Sequence, residues 1–265
     1  MESCITFKNL SIGYRPKHQL RVIASAVSAS LHPGELTCLI GANGVGKSTL
    51  LRTLCGFQPA LDGEILLQDQ PLSAYPAQQL ARQIGVVLTS RVDVPQLSVR
   101  EIVGIGRSPY TNFWGTLTPA DQQIVDEAIH QVGIPHLAQR NISELSDGER
   151  QKTMIAKALA QQTRIIILDE PTAFLDFPSK VETLQMLCRL AHEQHKAILL
   201  STHDVELALQ LADSLWLMEP GHLSIGTPRE LSQAGSLSRF IERDGIRYDK
   251  ENMKIEILPS FGHQP

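Results

Sequence analysis

The sequence predicts an α/β fold, with a mixed sheet covered by helices, a strand, glycine-rich loop and helix at its centre, and an inserted helical subdomain. Three observations point there. Short runs rich in Val, Ile and Leu alternate with amphipathic helical stretches, the order expected when helices cover the faces of a sheet. A glycine-rich loop, residues 41–46, separates the apolar strand Leu36–Ile40 from the helix Ser48–Leu54. Between about residues 90 and 145, helical periods are broken by Pro95, Pro109, Pro119 and Pro135 and no long Val/Ile strand appears. With the helix that follows, this region reads as a helical subdomain spanning 90–160.

The remaining elements follow in order. Asp62-Gly63 makes a turn into a strand at Glu64–Gln68, Ile84–Leu88 is a further strand, and Arg164–Leu168 another. Thr227-Pro228-Arg229-Glu230 reads as the start of the last helix: an N-cap, a first-turn proline and a capping-box glutamate. Ile246–Tyr248 and Lys254–Leu258 form a short hairpin around Asp249-Lys250-Glu251-Asn252, an edge ribbon in a C-terminal extension, 244–265. There are no repeats or linker-like Gly/Ser runs, so residues 1–265 read as a single domain.

Composition narrows the function classes. Lys plus Arg total 24 against 28 for Asp plus Glu, a net charge of −4, which supplies no bulk attraction for nucleic acid or anionic lipid. The longest apolar stretches, Ile165–Leu168 and Ala197–Leu200, are far shorter than the ~20 residues of a membrane-spanning helix. The start, Met1-Glu2-Ser3-Cys4, lacks a basic then apolar leader, so the expected compartment is the cytoplasm, with any membrane role exercised through a partner. Cys4, Cys38, Cys55 and Cys188 have neither CxxC nor finger spacing and read as passive thiols. His192 and His195 read as solvated surface histidines.

The central motif is Gly41-Ala42-Asn43-Gly44-Val45-Gly46-Lys47-Ser48, which fits GxxxxGK[ST] between a strand and a helix. Its glycines let the backbone wrap with N–H groups inward, and the helix N-terminus adds a positive dipole end, so the loop is suited to phosphates. Lys47 can reach the β- and γ-phosphates and the Ser48 hydroxyl can ligate Mg²⁺. A dinucleotide fingerprint fits less well, because it needs a glycine where Thr49 stands and has no use for Lys47.

Two further segments fit the same chemistry. The strand Arg164–Leu168 ends in Asp169-Glu170, where Asp169 can hold the Mg²⁺ shell and Glu170 can orient or deprotonate an attacking water, although such a pair also serves as an ordinary helix entrance. Leu145-Ser146-Asp147-Gly148-Glu149-Arg150-Gln151 opens a helix with Ser146 as N-cap, leaving N–H groups at Ser146–Gly148 as a second anion site; by itself it is also simply a good helix start.

In this order, the motifs resemble the nucleotide-binding subunits of ABC transporters, a branch of the P-loop NTPases, over nearly the whole chain from Tyr14 to about Gly226. The resemblance rests on the loop Gly41–Ser48, the signature Leu145–Glu149, the Asp169-Glu170 strand, a D-loop at Phe174-Leu175-Asp176 and the switch histidine His203 in Ser201-Thr202-His203-Asp204. It implies ATP and Mg²⁺ as cofactors, held by Gly41, Ala42, Asn43, Gly44, Val45, Gly46, Lys47, Ser48 and Thr49, with Tyr14 stacked on adenine. It implies ATP hydrolysis by Lys47, Glu170 and His203. It also implies a head-to-tail pair of copies, in which Ser146 and Gly148 meet the γ-phosphate of the other copy and Asp176 connects the two sites.

Two departures from the family pattern stand out. Where the family usually has a metal-contacting glutamine after the strand Ile84–Leu88, this chain has Thr89, whose hydroxyl can ligate metal but reaches less far; Gln96 comes seven residues later. Asp147 and Glu149 replace the usual glycine and glutamine of the signature, and Asp147 is expected to face outward. The segment Gly106-Arg107-Ser108-Pro109-Tyr110, followed by Phe113-Trp114-Gly115, is similar to ATPases of importers for iron(III)-siderophores, haem and cobalamin. That resemblance implies two membrane-spanning permease subunits, an extracytoplasmic substrate-binding protein and a peripheral position on the cytoplasmic face of the inner membrane, with the aromatics as a docking surface unless they pack internally. An exporter subunit is the rival within the family. A P-loop phosphotransferase would leave Leu145–Glu149 and His203 unexplained.

Overall fold

The computed structural model describes residues 3–15, 20–88, 96–112 and 114–258. The chain opens with β1 (Ile5–Tyr14) and β2 (Arg21–Leu31), an antiparallel pair, then enters β3 (Leu36–Gly41) and α1 (Lys47–Leu54). Next come β4 (Asp62–Leu67), β5 (Gln70–Pro71), α2 (Ala77–Leu80) and β6 (Ile84–Val87). Three helices follow, α3 (Val99–Ile105), α4 (Pro119–Gln131) and α5 (Asp147–Ala160). Each starts with a reciprocal capping box, Ser98 with Glu101, Thr118 with Asp121 and Ser146 with Glu149, so local chemistry fixes where each begins.

The chain then alternates β7 (Ile165–Leu168), α6 (Phe177–Gln194), β8 (Ala197–Ser201), α7 (Val205–Leu211), β9 (Ser214–Glu219) and β10 (His222–Gly226). It finishes with α8 (Pro228–Gln233), α9 (Ser236–Ile241), β11 (Ile246–Asp249) and β12 (Lys254–Ile257). Helix α8 has the expected Thr227–Glu230 capping box, but it is not the last helix; α9 follows from Gly235, a left-handed glycine at φ 77° that offers no side-chain cap. The terminal hairpin forms its own two-stranded sheet rather than an edge of the main one, and the buried Tyr248 ties it to the core.

The main sheet has the order β10-β9-β3-β8-β7-β6, parallel except for β10. Its strands are buried on both faces, and the period of two sends alternate residues to different cores. Cys38, Ile40, Ile166, Leu168, Ile198, Leu200, Leu215 and Leu217 pack with the helices α3–α9. Leu39, Ile165, Ile167, Leu199 and Trp216 pack on the other side, with Leu50, Leu51 and Leu54 of α1 and the sheet β2-β1-β4-β5. The helices α3–α5 share the first core with the strands, so the described residues of this part have no separate interior. Among the described residues, no helix is long and apolar enough to cross a membrane.

One buried charge fastens α3–α5 together. Arg107 is 5 % exposed; its Nε donates to Asp121 Oδ1 at 2.8 Å, and its Nη1 to the Ala160 carbonyl at 2.9 Å and Gln162 Oε1 at 3.0 Å. Removing one member of a buried pair leaves the other charge uncompensated. Arg107→Ala should lower unfolding free energy by about 3–5 kcal/mol in chemical denaturation. The Arg107→Ala, Asp121→Ala double variant should lose less than the sum of the two single losses.

Candidate nucleotide-binding and hydrolysis site

The loop between β3 and α1 leaves the sheet at the carboxyl ends of its parallel strands, the usual ligand edge of an open α/β sheet. Gly46 turns there at φ 118°, and a Cβ on it would meet Ile23 Cγ2 at 2.3 Å. Glycine is needed at that position for both reasons. Lys47, 5 % exposed, folds back into the loop, where its Nζ donates to the carbonyls of Gly41 at 2.9 Å and Ala42 at 3.3 Å. Burial pulls the Lys47 ammonium below its ordinary range, while the carboxylates of Glu170 and Asp169 oppose the shift.

Asp169 and Glu170 stand where β7 ends. Ser48 Oγ donates to Asp169 Oδ1 at 3.0 Å, joining the helix after the loop to the strand that carries the carboxylates. Glu170 adopts a left-handed backbone, φ 50°, a conformation that costs a non-glycine residue energy and that recurs at functional sites. Its Oε1 lies 2.5 Å from His203 Nε2, and His203 Nδ1 lies 3.5 Å from Lys47 Nζ. Lys47, His203 and Glu170 thus form one contiguous polar row.

The row opens into a cleft of about 250 Å³ lined by Tyr14, Asn43, Gly44, Lys47, Ser48 and Glu170 among others. Tyr14 closes one side at the end of β1, and its hydroxyl is 2.6 Å from Thr49 Oγ1. Arg21 and Ile23 of β2 also line the cleft.

A family model described as ABC transporter matches residues 24–173. The chain belongs to that family. It is 41 % identical over 92 % of its length to an uncharacterized ABC transporter ATP-binding protein of Methanocaldococcus jannaschii, covering 83 % of that protein. It is 33 % identical over 99 % of its length to a petrobactin import ATP-binding protein of Bacillus anthracis, covering 92 % of it. Among solved structures it is similar to a metal-chelate type ABC transporter described in an inward-facing conformation, at 27 % identity and a TM-score of 0.78, covering 98 % of both chains. As a member of this family, the ABC transporter subunit binds nucleotide and is an ATPase.

Not every expected site residue of the ABC subunit sits in the cleft. Gly148 and Asp176 lie near each other on another surface: a Cβ on Gly148 would come within 3.9 Å of Leu175 and 3.8 Å of Ser179 Oγ, while Asp176 caps α6 by accepting from the Ser179 N–H at 3.1 Å. The Ser146 donors are already engaged. Glu149 Oε2 accepts from the Ser146 N–H at 2.9 Å and from its hydroxyl at 2.8 Å, so the expected anion site is filled by the chain's own carboxylate at its first residue. Asp147 points outward and pairs with Arg150 at 3.0 Å. Thr89 and Phe113 lie outside the described residues, and Gln96 is exposed.

Tyr110 is 37 % exposed but partnered within the chain: Arg82 and Arg107 flank its ring at 5.0 and 4.2 Å, and its hydroxyl donates to the Gln161 carbonyl at 3.0 Å. Trp114 is 84 % exposed. His192 and His195 are both exposed, as expected of surface histidines, and His192 also contacts Asp213 at 2.9 Å. Sequence reasoning also missed Ser201, Arg21 and Ile23. The last two belong to strand β2, which that reasoning did not find.

Gly46→Ala tests the loop. A left-handed alanine costs about 1–3 kcal/mol, and if the loop relaxes to relieve it, nucleotide affinity should fall roughly 5- to 150-fold in a fluorescent-nucleotide titration.

Proposed function

We propose that this chain powers a membrane importer of a metal chelate, of the iron(III)-siderophore kind, by closing as a head-to-tail pair around two ATP molecules. Gly148 carries the pairing. It sits in the first turn of α5 without positive φ, and a Cβ there would make only ordinary contacts with the described residues, so among them no internal constraint calls for glycine. A surface glycine with no internal cause is suited to close approach by something outside the chain. Ser146 beside it and the exposed Phe174 and Phe177 around Asp176 extend the same surface. In this reading, that surface covers the γ-phosphate held by the loop of the second copy.

Mg²⁺ fits the cleft. Ser48 and Asp169 offer two hard oxygens 3.0 Å apart, and among the described residues no cluster of three or more His, Cys, Asp or Glu competes for a softer metal. That donor set suits an ion that keeps waters and takes phosphate oxygens for the rest of its shell. When bound, Mg²⁺ would neutralise charge on the phosphates. The chain's residues do the rest. Lys47 moves from the Gly41 and Ala42 carbonyls to the β- and γ-phosphates, Tyr14 presents its ring to the adenine, and Glu170 accepts the proton of the attacking water. His203 steadies Glu170 and reaches the γ-phosphate.

The importer reading is supported by the names of relatives and by a groove away from the cleft. About 350 Å³ in volume, the groove is lined by Phe57, Leu80, Val86, Ile105 and Lys157 among others, with Phe57 60 % and Ile105 45 % exposed. Among the described residues Lys157 is the one charged side chain in this lining, and burial lowers its pKa. The groove suits a short cytoplasmic segment of a permease that brings an apolar face and a carboxylate. Two such permease subunits, with a substrate-binding protein outside, would hold the ATPase pair at the cytoplasmic face of the inner membrane.

Three measurements test this function. Glu170→Gln should keep ATP affinity, lose about 10²–10⁴-fold in turnover, and accumulate as an ATP-bound dimer in size exclusion; near-normal turnover would remove Glu170 from the role of base. Gly148→Ala should leave the isolated subunit as stable as before, or more so by up to about 1 kcal/mol, yet abolish the ATP-dependent dimer. Vesicles holding the assembled transporter should take up an iron(III) chelate in an ATP-dependent manner; uptake of none among iron chelates, haem and cobalamin would sink the importer reading.

A further inference from the structure

We infer that Ser201, a residue with no assigned part in hydrolysis, is a positioning residue that sets the orientation of Asp169 and the backbone of Glu170 together. The inference rests on the reading of those two acids as metal-shell residue and base. Ser201 closes β8 and is fully buried, at 0 % exposure. Its hydroxyl donates to Asp169 Oδ1 at 2.8 Å and accepts from the Glu170 N–H at 2.9 Å. One side chain on one strand therefore touches both catalytic positions of its neighbour.

The placement follows from register. Parallel pairing aligns Ile165 with Ala197, Ile167 with Leu199 and Leu168 with Leu200, and one further step brings Asp169 opposite Ser201. Residues 165, 167 and 169 share the face toward α1, as do 197, 199 and 201. Below this step both rows are apolar. At the step they turn polar together, a carboxylate on β7 and a hydroxyl on β8. A buried serine has one proton to give and lone pairs to receive, and here both capacities are used within the site.

Two consequences follow. Asp169 Oδ1 also accepts from Ser48, but Ser48 is the hydroxyl expected to turn toward a metal. Ser201 is the donor that need not change when nucleotide enters, so it keeps the carboxylate aimed while Ser48 changes task. The Glu170 N–H belongs to a residue at φ 50°, and the Ser201 oxygen satisfies it, so the hydroxyl helps hold the strained turn that aims the Glu170 carboxylate. Without that hydroxyl, the base should be free to drift while the phosphate loop, built on β3 and α1, keeps its grip on nucleotide.

Steady-state kinetics, fluorescent-nucleotide titration and chemical denaturation of Ser201→Ala, Ser201→Thr and Ser201→Cys test this. Ser201→Ala should lose about 10- to 100-fold in kcat, the scale of a misplaced catalytic group, with nucleotide Kd and KM retained. Ser201→Thr, which keeps the hydroxyl, should recover most of the turnover. Ser201→Cys, close to serine in size but a weak donor, should fall between serine and alanine even if the added methyl of threonine strains the core. Wild-type kcat in Ser201→Ala overturns the inference, and so does loss of nucleotide affinity and stability in step with turnover. A folded Ser201→Cys no more active than Ser201→Ala also overturns it. If Glu170→Gln is inactive while Ser201→Ala is normal, only this inference fails; if Glu170→Gln stays active, the base reading itself has failed.

Discussion

The site depends on one constraint, the burial of both faces of the parallel sheet. Because β3, β7 and β8 have no face in water, polar side chains on them are costly except where the strands run out. That restriction gathers the chemistry at the carboxyl edge. The strands end in Gly41, Leu168 and Ser201, and the residues just past them, the phosphate loop, Asp169-Glu170 and His203, are brought within hydrogen-bond reach of one another. The apolar runs behind them set the register and hence which polar groups meet. Asp169 meets Ser201 because Ile167 meets Leu199.

Much of this was legible in the sequence, because the informative signals were local. The strand, loop and helix at 36–54, the Ser146 cap and the strand ahead of Asp169 each depend on residues adjacent in the chain. Strands β1 and β2 were not legible, and the reason is visible in their bulges. Ile5 and Phe7 face the core, but after Asn9, held at φ 49°, the buried positions shift to Leu10 and Ile12. Ala26 at φ 53° does the same to β2. Two phase shifts erase the simple alternation by which an isolated strand is read. Helix α9 escaped because it begins on a glycine, without a side-chain cap. Ser201 escaped for a different reason: its partners, 31 and 32 residues away, are set by strand pairing.

The same distinction separates the cleft from the surface around Gly148. The cleft explains itself: Gly46 faces Ile23, Lys47 has acceptors, and Ser48 has Asp169. Among the described residues Gly148 has no such internal account, whereas Glu149 and Asp147 have one as the cap of α5 and the partner of Arg150. A residue whose identity the fold leaves unexplained points to a partner. Residues that the fold explains, even unusual ones such as the two carboxylates of this segment, do not.

The side chains proposed to meet nucleotide are also already occupied by the chain itself. Lys47 rests on the Gly41 and Ala42 carbonyls, Ser48 on Asp169, and Ser146 on Glu149, while the Tyr14 hydroxyl lies against Thr49. Binding ATP in the proposed manner therefore exchanges internal hydrogen bonds for external ones, and each exchange nets far less than a hydrogen bond made from nothing. The exchange at Ser146 is the least favourable of these, because the group to be displaced is an anion and the incoming group is another. A single loop can make its exchanges alone, but the signature surface gains only when a phosphate already fixed by a second copy approaches it. On this argument the order of events is set by electrostatics: nucleotide first occupies the loop of each subunit, and the pair closes afterwards, when the charge on the bound phosphates has been neutralised by Lys47 and the metal.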